Sequence, residues 1–137
     1  MLIPKKVKHR KWHKGRSRKR QVETRGLNVS YGAYGLKATG SAWLNSRQIE
    51  AARKAITNLL KREGRLFIRV FPDKPVTARP PELTMGGGKG SVDHYVFPVR
   101  PGRIIFELDG VPEDKAKEAM RVAGHKLPFK TKFVVKH

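Results

Sequence analysis

The spacing of hydrophobic residues predicts an amphipathic helix in the first half of the chain. Its buried side would consist of aliphatic residues three or four positions apart: Ile49, Ala52, Ile56, Leu59 and Leu60. Asn45 and Gln48 have the spacing of a capping box, so we expect the helix to begin at Asn45. Gly64 is expected to end it, because glycine readily adopts the left-handed conformation found after many helices.

A second helix is predicted between Pro112 and Gly124. Proline is favoured at the start of a helix, and the carboxylates of Glu113 and Asp114 suit its positive end. Its buried side would be formed by small or flexible apolar residues: Ala116, Ala119, Met120 and Ala123.

Segments rich in β-branched and aromatic residues predict the strands. Residues 27–44 are expected to form two short strands with tight bends at Gly32, Gly35 and Gly40. Further strands are predicted at 65–71, 76–79, 94–99, 103–108 and 129–136, with 94–99 and 103–108 joined as a hairpin. The pattern favours an α+β domain, in which two helices pack on one face of a mixed β-sheet.

The distribution of charge separates an arm from this domain. The 137 residues include 31 Lys and Arg against 11 Asp and Glu, a formal net charge of +20. Ten of the cations and no acid fall in residues 1–22, too polar a composition to fold alone. We therefore expect an extended basic N-terminal arm over 1–26 and a single domain over 27–137. Such a surplus of positive charge favours a polyanionic partner, above all nucleic acid.

The arm combines cations with one large aromatic side chain, Trp12, which could stack on a base while its neighbours neutralise phosphates. We expect the RNA-binding residues of the arm to be Lys5, Lys6, Lys8, Arg10, Lys11, Trp12, Lys14, Arg16, Arg18, Lys19 and Arg20. The outer face of the first helix would add Arg47, Lys54, Lys61 and Arg65. For the arm, the alternatives are a merely solvated tail or a targeting peptide. For the helix, the alternative is a merely solvated face.

Residues 84–90, TMGGGKG, do not fit a nucleotide-binding loop. A P-loop needs a glycine where Leu83 stands and a hydroxyl where Gly90 stands. Without Cβ atoms, the segment could instead approach a phosphate backbone closely and present its N–H groups. A hairpin tip without a ligand is the alternative. The residues concerned are Met85, Gly86, Gly87, Gly88, Lys89 and Gly90.

Signals for catalysis are sparse. Asp93 and His94, with His125, could serve as the acid–base set of a nuclease, but no carboxylate cluster for metal ions accompanies them. His9 and His13 have helical spacing but no third metal ligand nearby. There is no cysteine, which excludes disulfides and thiolate metal sites. We expect no enzymatic activity, no cofactor and no metal.

A soluble, intracellular protein is expected, because no apolar stretch has the length of a signal peptide core or a membrane span. A general polyanion-binding or DNA-packaging protein would satisfy the same composition. Such a protein should bind duplex DNA as well as it binds structured RNA.

Seven motifs in order resemble one known family. They are MLIPKKVKHRKWHKGR at 1–16, SYGAYGLKA at 30–38, RQIEAARKAI at 47–56, IRVFPDKP at 68–75, MGGGKG at 85–90, PGRIIFELDGV at 101–111 and AGHKLPFKTKF at 123–133. Nearly from end to end, the chain resembles the bacterial large-subunit ribosomal protein sixteen, a universal family whose archaeal and eukaryotic branch is called L-ten-e.

The resemblance implies an α+β fold with a β-hammerhead-like element and a non-catalytic role on the large ribosomal subunit. It implies binding to large-subunit (23S-type) rRNA, support of late subunit assembly, and positioning of aminoacyl-site tRNA near the peptidyl transferase centre. Residues 85–90 would face the tRNA, although Thr84 and Gly87 depart from the basic residues usual in the family.

The resemblance also raises 5S rRNA and neighbouring large-subunit proteins as contacts. It implies no membrane partner and no homo-oligomer. The expected location is the cytoplasm, on the large ribosomal subunit, with an organellar ribosome as the alternative.

Overall fold

A computed structural model of the protein describes residues 2–5, 23, 25–78 and 91–136. Within these residues the chain forms two helices and seven strands. In chain order they are β1 (Tyr34–Ala38), β2 (Ala42–Asn45), α1 (Ser46–Leu60), β3 (Arg65–Ile68), β4 (Lys74–Ala78), β5 (Ser91–Val99), β6 (Ile104–Asp109), α2 (Glu113–Gly124) and β7 (Thr131–Val135).

The strands form two sheets, one of four strands in the order β3-β6-β1-β7 and one of three strands in the order β2-β5-β4. The α+β class is confirmed. The expected single mixed sheet is replaced by two sheets, and every pairing between described strands is antiparallel. The two sheets arise because β5 pairs with β2 and β4 on its two sides, while β6 pairs with β1 and β3.

The predicted hairpin between β5 and β6 is wrong for the same reason, since both edges of each strand are already occupied. The turn at 100–103 instead carries the chain from one sheet to the other. Gly102, at φ +102°, donates its N–H to the carbonyl of Ala38 at 2.7 Å, which fixes this turn against the end of β1.

Helix α1 begins as predicted. The Asn45 side chain accepts from the N–H of Gln48 at 2.9 Å, and the Gln48 side chain accepts from the N–H of Asn45 at 3.0 Å. The helix ends earlier than expected, at Leu60, because Lys61 takes the left-handed conformation at φ 49°. Gly64 has another role: a Cβ there would lie 2.5 Å from the carbonyl oxygen of Asp109, so glycine allows close packing against the end of β6.

Helix α2 matches its predicted bounds, with Pro112 as the N-cap and Gly124 as the last residue. It packs against α1 and against β1 and β7. All four predicted apolar positions are buried: Ala116, Ala119, Met120 and Ala123. The small side chains of the three alanines let α2 lie close to its neighbours.

The four-stranded sheet has a helix-facing side and an outer side. In register, Leu36 of β1 lies between Phe106 of β6 and Phe133 of β7, and Leu36 and Phe133 line the groove beside α2. The neighbouring row, centred on Gly35 and Glu107, therefore points to the outer side. Residues 25–33 cross this outer side on their way to β1.

Gly35 lies inside β1, so the predicted bend at this residue is wrong. A Cβ there would be 2.8 Å from Cγ2 of Val29, which packs over the sheet from the crossing segment. Gly40 does lie at the bend between β1 and β2. Among the described residues, no helix is both long and apolar enough to cross a bilayer.

Candidate nucleic-acid interface

Three of the predicted helix cations share one exposed stripe. Arg47, Lys54 and Lys61 are exposed, and their spacing of seven residues places them along one side of α1. Arg53 lies beside this stripe but pairs with Glu50. Arg65 is exposed as well, but it begins β3 rather than continuing the helix. The structure therefore separates Arg65 from the set with which it was predicted.

Most of the predicted arm and all of the predicted glycine loop lie outside the described residues. Lys5 is described and is exposed. Outside the described residues lie Lys6, Lys8, Arg10, Lys11, Trp12, Lys14, Arg16, Arg18, Lys19, Arg20, Met85, Gly86, Gly87, Gly88, Lys89 and Gly90. Their roles remain predictions.

A buried carboxylate holds the segment that crosses the outer side of the sheet. Glu107 of β6 is 0% exposed. Its Oε1 accepts the backbone N–H groups of Ser30, Tyr31 and Gly32 at 2.9, 2.8 and 2.9 Å. Its Oε2 pairs with Nη1 of Arg69, which lies just beyond the end of β3. One side chain therefore joins three consecutive peptide groups to a cation.

These partners also keep Glu107 ionised. Burial alone raises the pKa of the carboxyl group, because desolvation penalises the charged form. The hydrogen bond from Gly32, the Arg69 guanidinium and the hydrogen bond from Tyr31 act in the opposite direction, and the pKa of Glu107 falls below its ordinary value. The carboxylate is therefore charged at neutral pH and holds residues 30–32 in place.

Above this carboxylate lies a group of two aromatic rings and two guanidinium groups, the aromatic–arginine cluster: Tyr31, Arg65, Phe67 and Arg69. Tyr31 and Arg65 are exposed, whereas Phe67 and Arg69 are partly buried. The rings of Tyr31 and Phe67 are stacked, with centroids 5.8 Å apart and planes inclined at 29°. Cζ of Arg69 lies 5.0 Å from the centroid of the Tyr31 ring, and Cζ of Arg65 lies 5.9 Å from that of Phe67. Despite these contacts, Tyr31 is 64% exposed.

On the other edge of the outer side, lysines gather along β1 and β7, forming the lysine cluster of Lys37, Lys132 and Lys136. Lys37 is directly opposite Lys132 in the antiparallel pairing. Lys136 donates from Nζ to the carbonyl of Ser30 at 3.2 Å. Within the described part of the chain, neither Lys37 nor Lys132 forms an ion pair. Like charges in this arrangement repel, and a bound anion would relieve the repulsion.

The two ends of the basic arm meet the domain near one arginine. Arg103 donates from Nη2 to the carbonyl of Arg69 at 3.1 Å and stands over the Phe97 ring at 5.1 Å. Leu2 lines the same groove as Phe97 and Arg103. Two positions before Arg103, the carbonyl of Pro101 accepts the N–H of Glu23 at 2.9 Å. Residues at both ends of the arm are therefore attached to the same region of the domain.

The residues of the enzyme hypothesis do not form one site. Asp93 and His94 contact each other at 2.7 Å on exposed parts of β5, in the three-stranded sheet. His125 follows α2 and lines a groove of about 710 Å³ beside β7, which belongs to the four-stranded sheet. Among the described residues, no group of three or more His, Asp or Glu could hold a metal ion.

Sequence reasoning missed Tyr31, Phe67, Arg69 and Lys37. The register between strands brings Lys37, Phe67 and Arg69 to the outer side, and the path of the crossing segment brings Tyr31 there. A single sequence reveals neither the register nor the path. One signal is present in the sequence: Lys130, Lys132 and Lys136 occupy the positions that alternate with Phe129, Thr131, Phe133 and Val135 along the last strand.

Comparison with known families identifies the family of the chain. Residues 4–134 of the 137-residue chain match the family model described as ribosomal protein L16p/L10e. Members of this family are structural, non-enzymatic components of the large ribosomal subunit that bind large-subunit rRNA and ribosomal proteins. The match covers nearly the whole chain, so this protein belongs to the ribosomal protein L16p/L10e family and is a structural constituent of the large ribosomal subunit in the cytoplasm.

Proposed function

We propose that the protein binds large-subunit rRNA through three basic surfaces and, once bound, supports late subunit assembly and helps to position aminoacyl-site tRNA. The surfaces are the arm over 1–26, the stripe on α1, and the lysine cluster on the domain over 27–137. The observation that carries the proposal is the placement of Lys37 opposite Lys132, with neither lysine in an ion pair among the described residues.

This placement is costly for the isolated protein and favourable in a complex with RNA. Two ammonium groups on opposite residues of adjacent strands destabilise the sheet when nothing neutralises them. A phosphate group between them would remove the repulsion and release condensed counterions from the RNA. The arrangement is therefore suited to a phosphate backbone that crosses β1 and β7.

The role in tRNA positioning rests on the family resemblance and on where the glycine loop leaves the domain. Ala78 at the end of β4 pairs directly with Ser91 at the start of β5. Both ends of residues 79–90 are thus held at one end of the three-stranded sheet. We propose that Lys89 and the glycines around it contact the tRNA from this position, and that 5S rRNA and neighbouring proteins are secondary contacts.

Salt dependence of rRNA binding tests the lysine cluster. In the full-length protein, replacing both Lys37 and Lys132 by Gln should reduce the slope of log Kobs against log salt concentration by about 1.4–1.8, the contribution of two phosphate contacts. Lys115→Gln is the matched control, because Lys115 is exposed but already pairs with Glu63 at 2.9 Å. A slope that changes equally in both variants would contradict the proposed surface.

The salt dependence of rRNA binding also tests the arm. Deleting residues 1–20 should remove most of the remaining salt dependence, because the arm holds the densest group of cations.

Comparison of tRNA binding with incorporation into subunits tests the role of Lys89. Lys89→Gln should weaken tRNA binding to the aminoacyl site more than it lowers incorporation of the protein. A Lys89 variant with an assembly defect alone would count against the tRNA-facing assignment.

A further inference from the structure

We propose that the aromatic–arginine cluster is a stacking site for one unstacked base of large-subunit rRNA, with Tyr31 as the stacking residue. The inference rests on the proposed rRNA-binding function and adds a base-binding position to a surface otherwise argued from charge alone. Its members come from the crossing segment and from the region of β3: Tyr31, Arg65, Phe67 and Arg69.

The exposure of Tyr31 is the first reason. Exposed tyrosines are common, but this ring lies on a second aromatic ring, and a guanidinium group lies over it at 5.0 Å. Nearly two thirds of the residue remains open to solvent after both contacts. A flat aromatic surface bordered by cations is what proteins present to a base that has left its helix.

The rigidity of the platform is the second reason. The N–H of Tyr31 is held by the buried carboxylate of Glu107 at 2.8 Å, and the same carboxylate pairs with Arg69. Arg69 also donates to the carbonyl of Asn28 at 3.3 Å. The backbone of Tyr31 and the cation over its ring are thus held by one buried group, so little backbone entropy is lost when a base binds.

The surrounding charge favours RNA over a protein partner. Arg65 lies at the exposed edge of the cluster, over Phe67, where it can reach the phosphate of a stacked nucleotide. The lysine cluster lies on the same outer side of the sheet, across Glu107. A backbone that follows those lysines would pass a ring on which one of its bases can stack. An apolar protein segment would leave these cations without partners.

Binding of full-length protein to a transcribed large-subunit rRNA at fixed salt tests the proposal. Tyr31→Leu keeps an apolar side chain and the backbone hydrogen bond but removes the aromatic face. It should weaken binding about 5- to 150-fold while leaving the salt slope unchanged. Tyr31→Phe should bind as the parent protein does. Phe71→Leu is the matched control, because Phe71 is an exposed aromatic residue outside the cluster, at 43% exposure.

Arg65→Gln gives the complementary readout. It should lower the salt slope by about 1, the signature of a lost phosphate contact. Equal binding by Tyr31→Leu and the parent protein, with a normal salt slope in both, would overturn the stacking site and leave the proposed rRNA binding intact. Absence of salt-dependent rRNA binding by the parent protein would instead reject the proposed function itself.

Ultraviolet crosslinking of the bound complex identifies the occupant directly. The expected product is a nucleotide joined to the peptide that contains Tyr31, lost in Tyr31→Leu and kept in Phe71→Leu. In assembled subunits, a crosslink from Tyr31 to another protein instead of to rRNA would overturn the proposal. Thermal unfolding of each variant verifies that the domain remains folded.

Discussion

The helix-facing side of the four-stranded sheet is covered by α2 and by apolar side chains, whereas the outer side is covered by the crossing segment at 25–33. Leu36, Phe106 and Met120 are fully buried in the helix-facing core. On the outer side, the fully buried side chain that holds the cover is charged, and its partners are three peptide N–H groups and one arginine. One side thus relies on apolar packing, whereas the other adds charge-assisted hydrogen bonds to apolar contacts such as that of Val29 with Gly35.

This difference matches the two tasks of the sheet. Apolar packing is not directional and fills the interior, but it leaves nothing for a polyanion to bind. Hydrogen bonds to a carboxylate fix the direction of each group, so the outer side can hold the exposed Tyr31 beside the partly buried Arg69. Four substitutions, given from the largest expected effect to the smallest, test how far the two sides differ.

Phe106→Ala should cause the largest loss of stability. Phe106 is fully buried on the helix-facing side, and its truncation would leave a cavity between the sheet and the helices. We expect the free energy of unfolding, measured in urea, to fall by about 3–5 kcal/mol. The loss should be the same at low and high salt, because no charge is involved. A loss of stability that depends on salt would contradict the view that the helix-facing side is held by apolar packing.

Glu107→Gln should cost about 2–4 kcal/mol at neutral pH, because it leaves Arg69 without its counterion and weakens three hydrogen bonds. The pKa of Glu107 is lowered in the folded state. Its contribution is therefore complete above the ordinary pKa of 4.5 and is lost as the pH falls through the lowered value. Urea unfolding across acidic pH should show the variant and the parent protein converging. A difference that stays constant down to the lowest pH would contradict this account.

Lys37→Glu should stabilise the isolated protein by about 0.2–1 kcal/mol, because it places opposite charges where Lys37 now faces Lys132. The same variant should bind rRNA more weakly than the parent protein. Lys37→Gln is the control, and its gain in stability should be smaller. If Lys37→Glu were less stable than the parent at low salt, the repulsion inferred between the two lysines would be absent.

Lys61→Gly should have the smallest effect on stability, a gain of roughly 0.2–0.5 kcal/mol, because glycine adopts the left-handed conformation at φ 49° without strain. It should still weaken rRNA binding, since a cation leaves the α1 stripe. Lys61→Ala loses the same charge but keeps the strain, so its stability should stay close to that of the parent protein. Thermal unfolding and rRNA titration of the two variants show whether Lys61, like Lys37, strengthens RNA binding while lowering the stability of the isolated protein.

Features set by neighbouring residues could be predicted from the sequence. The capping box of Asn45 and Gln48 and the bounds of α2 depend on residues within one turn of each other, and the structure confirms both. The end of α1 could not be placed in this way, because Gly64 is required by its contact with Asp109 rather than by the helix. Gly64 therefore marks a close tertiary contact and not the end of the helix.

Features set by distant residues were not predictable. The turn before Arg103 indicates that the chain reverses, but the partners of β5 and β6 are chosen by strands far away in the sequence. For the candidate site, the charge of the α1 stripe follows from helical periodicity alone. The aromatic–arginine cluster needs the register that places Phe67 opposite Glu107 and the path that brings Tyr31 above it. Neither is encoded in local spacing.

The contacts of Leu2 and Glu23 near Arg103 bring the described residues on both sides of the basic segment to one region of the domain. Leu2 lines the groove beside Arg103, and the N–H of Glu23 donates to the carbonyl of Pro101. A substitution at Arg103 would therefore act on both attachments at once, at the point where the basic segment leaves the domain and at the point where it enters it again.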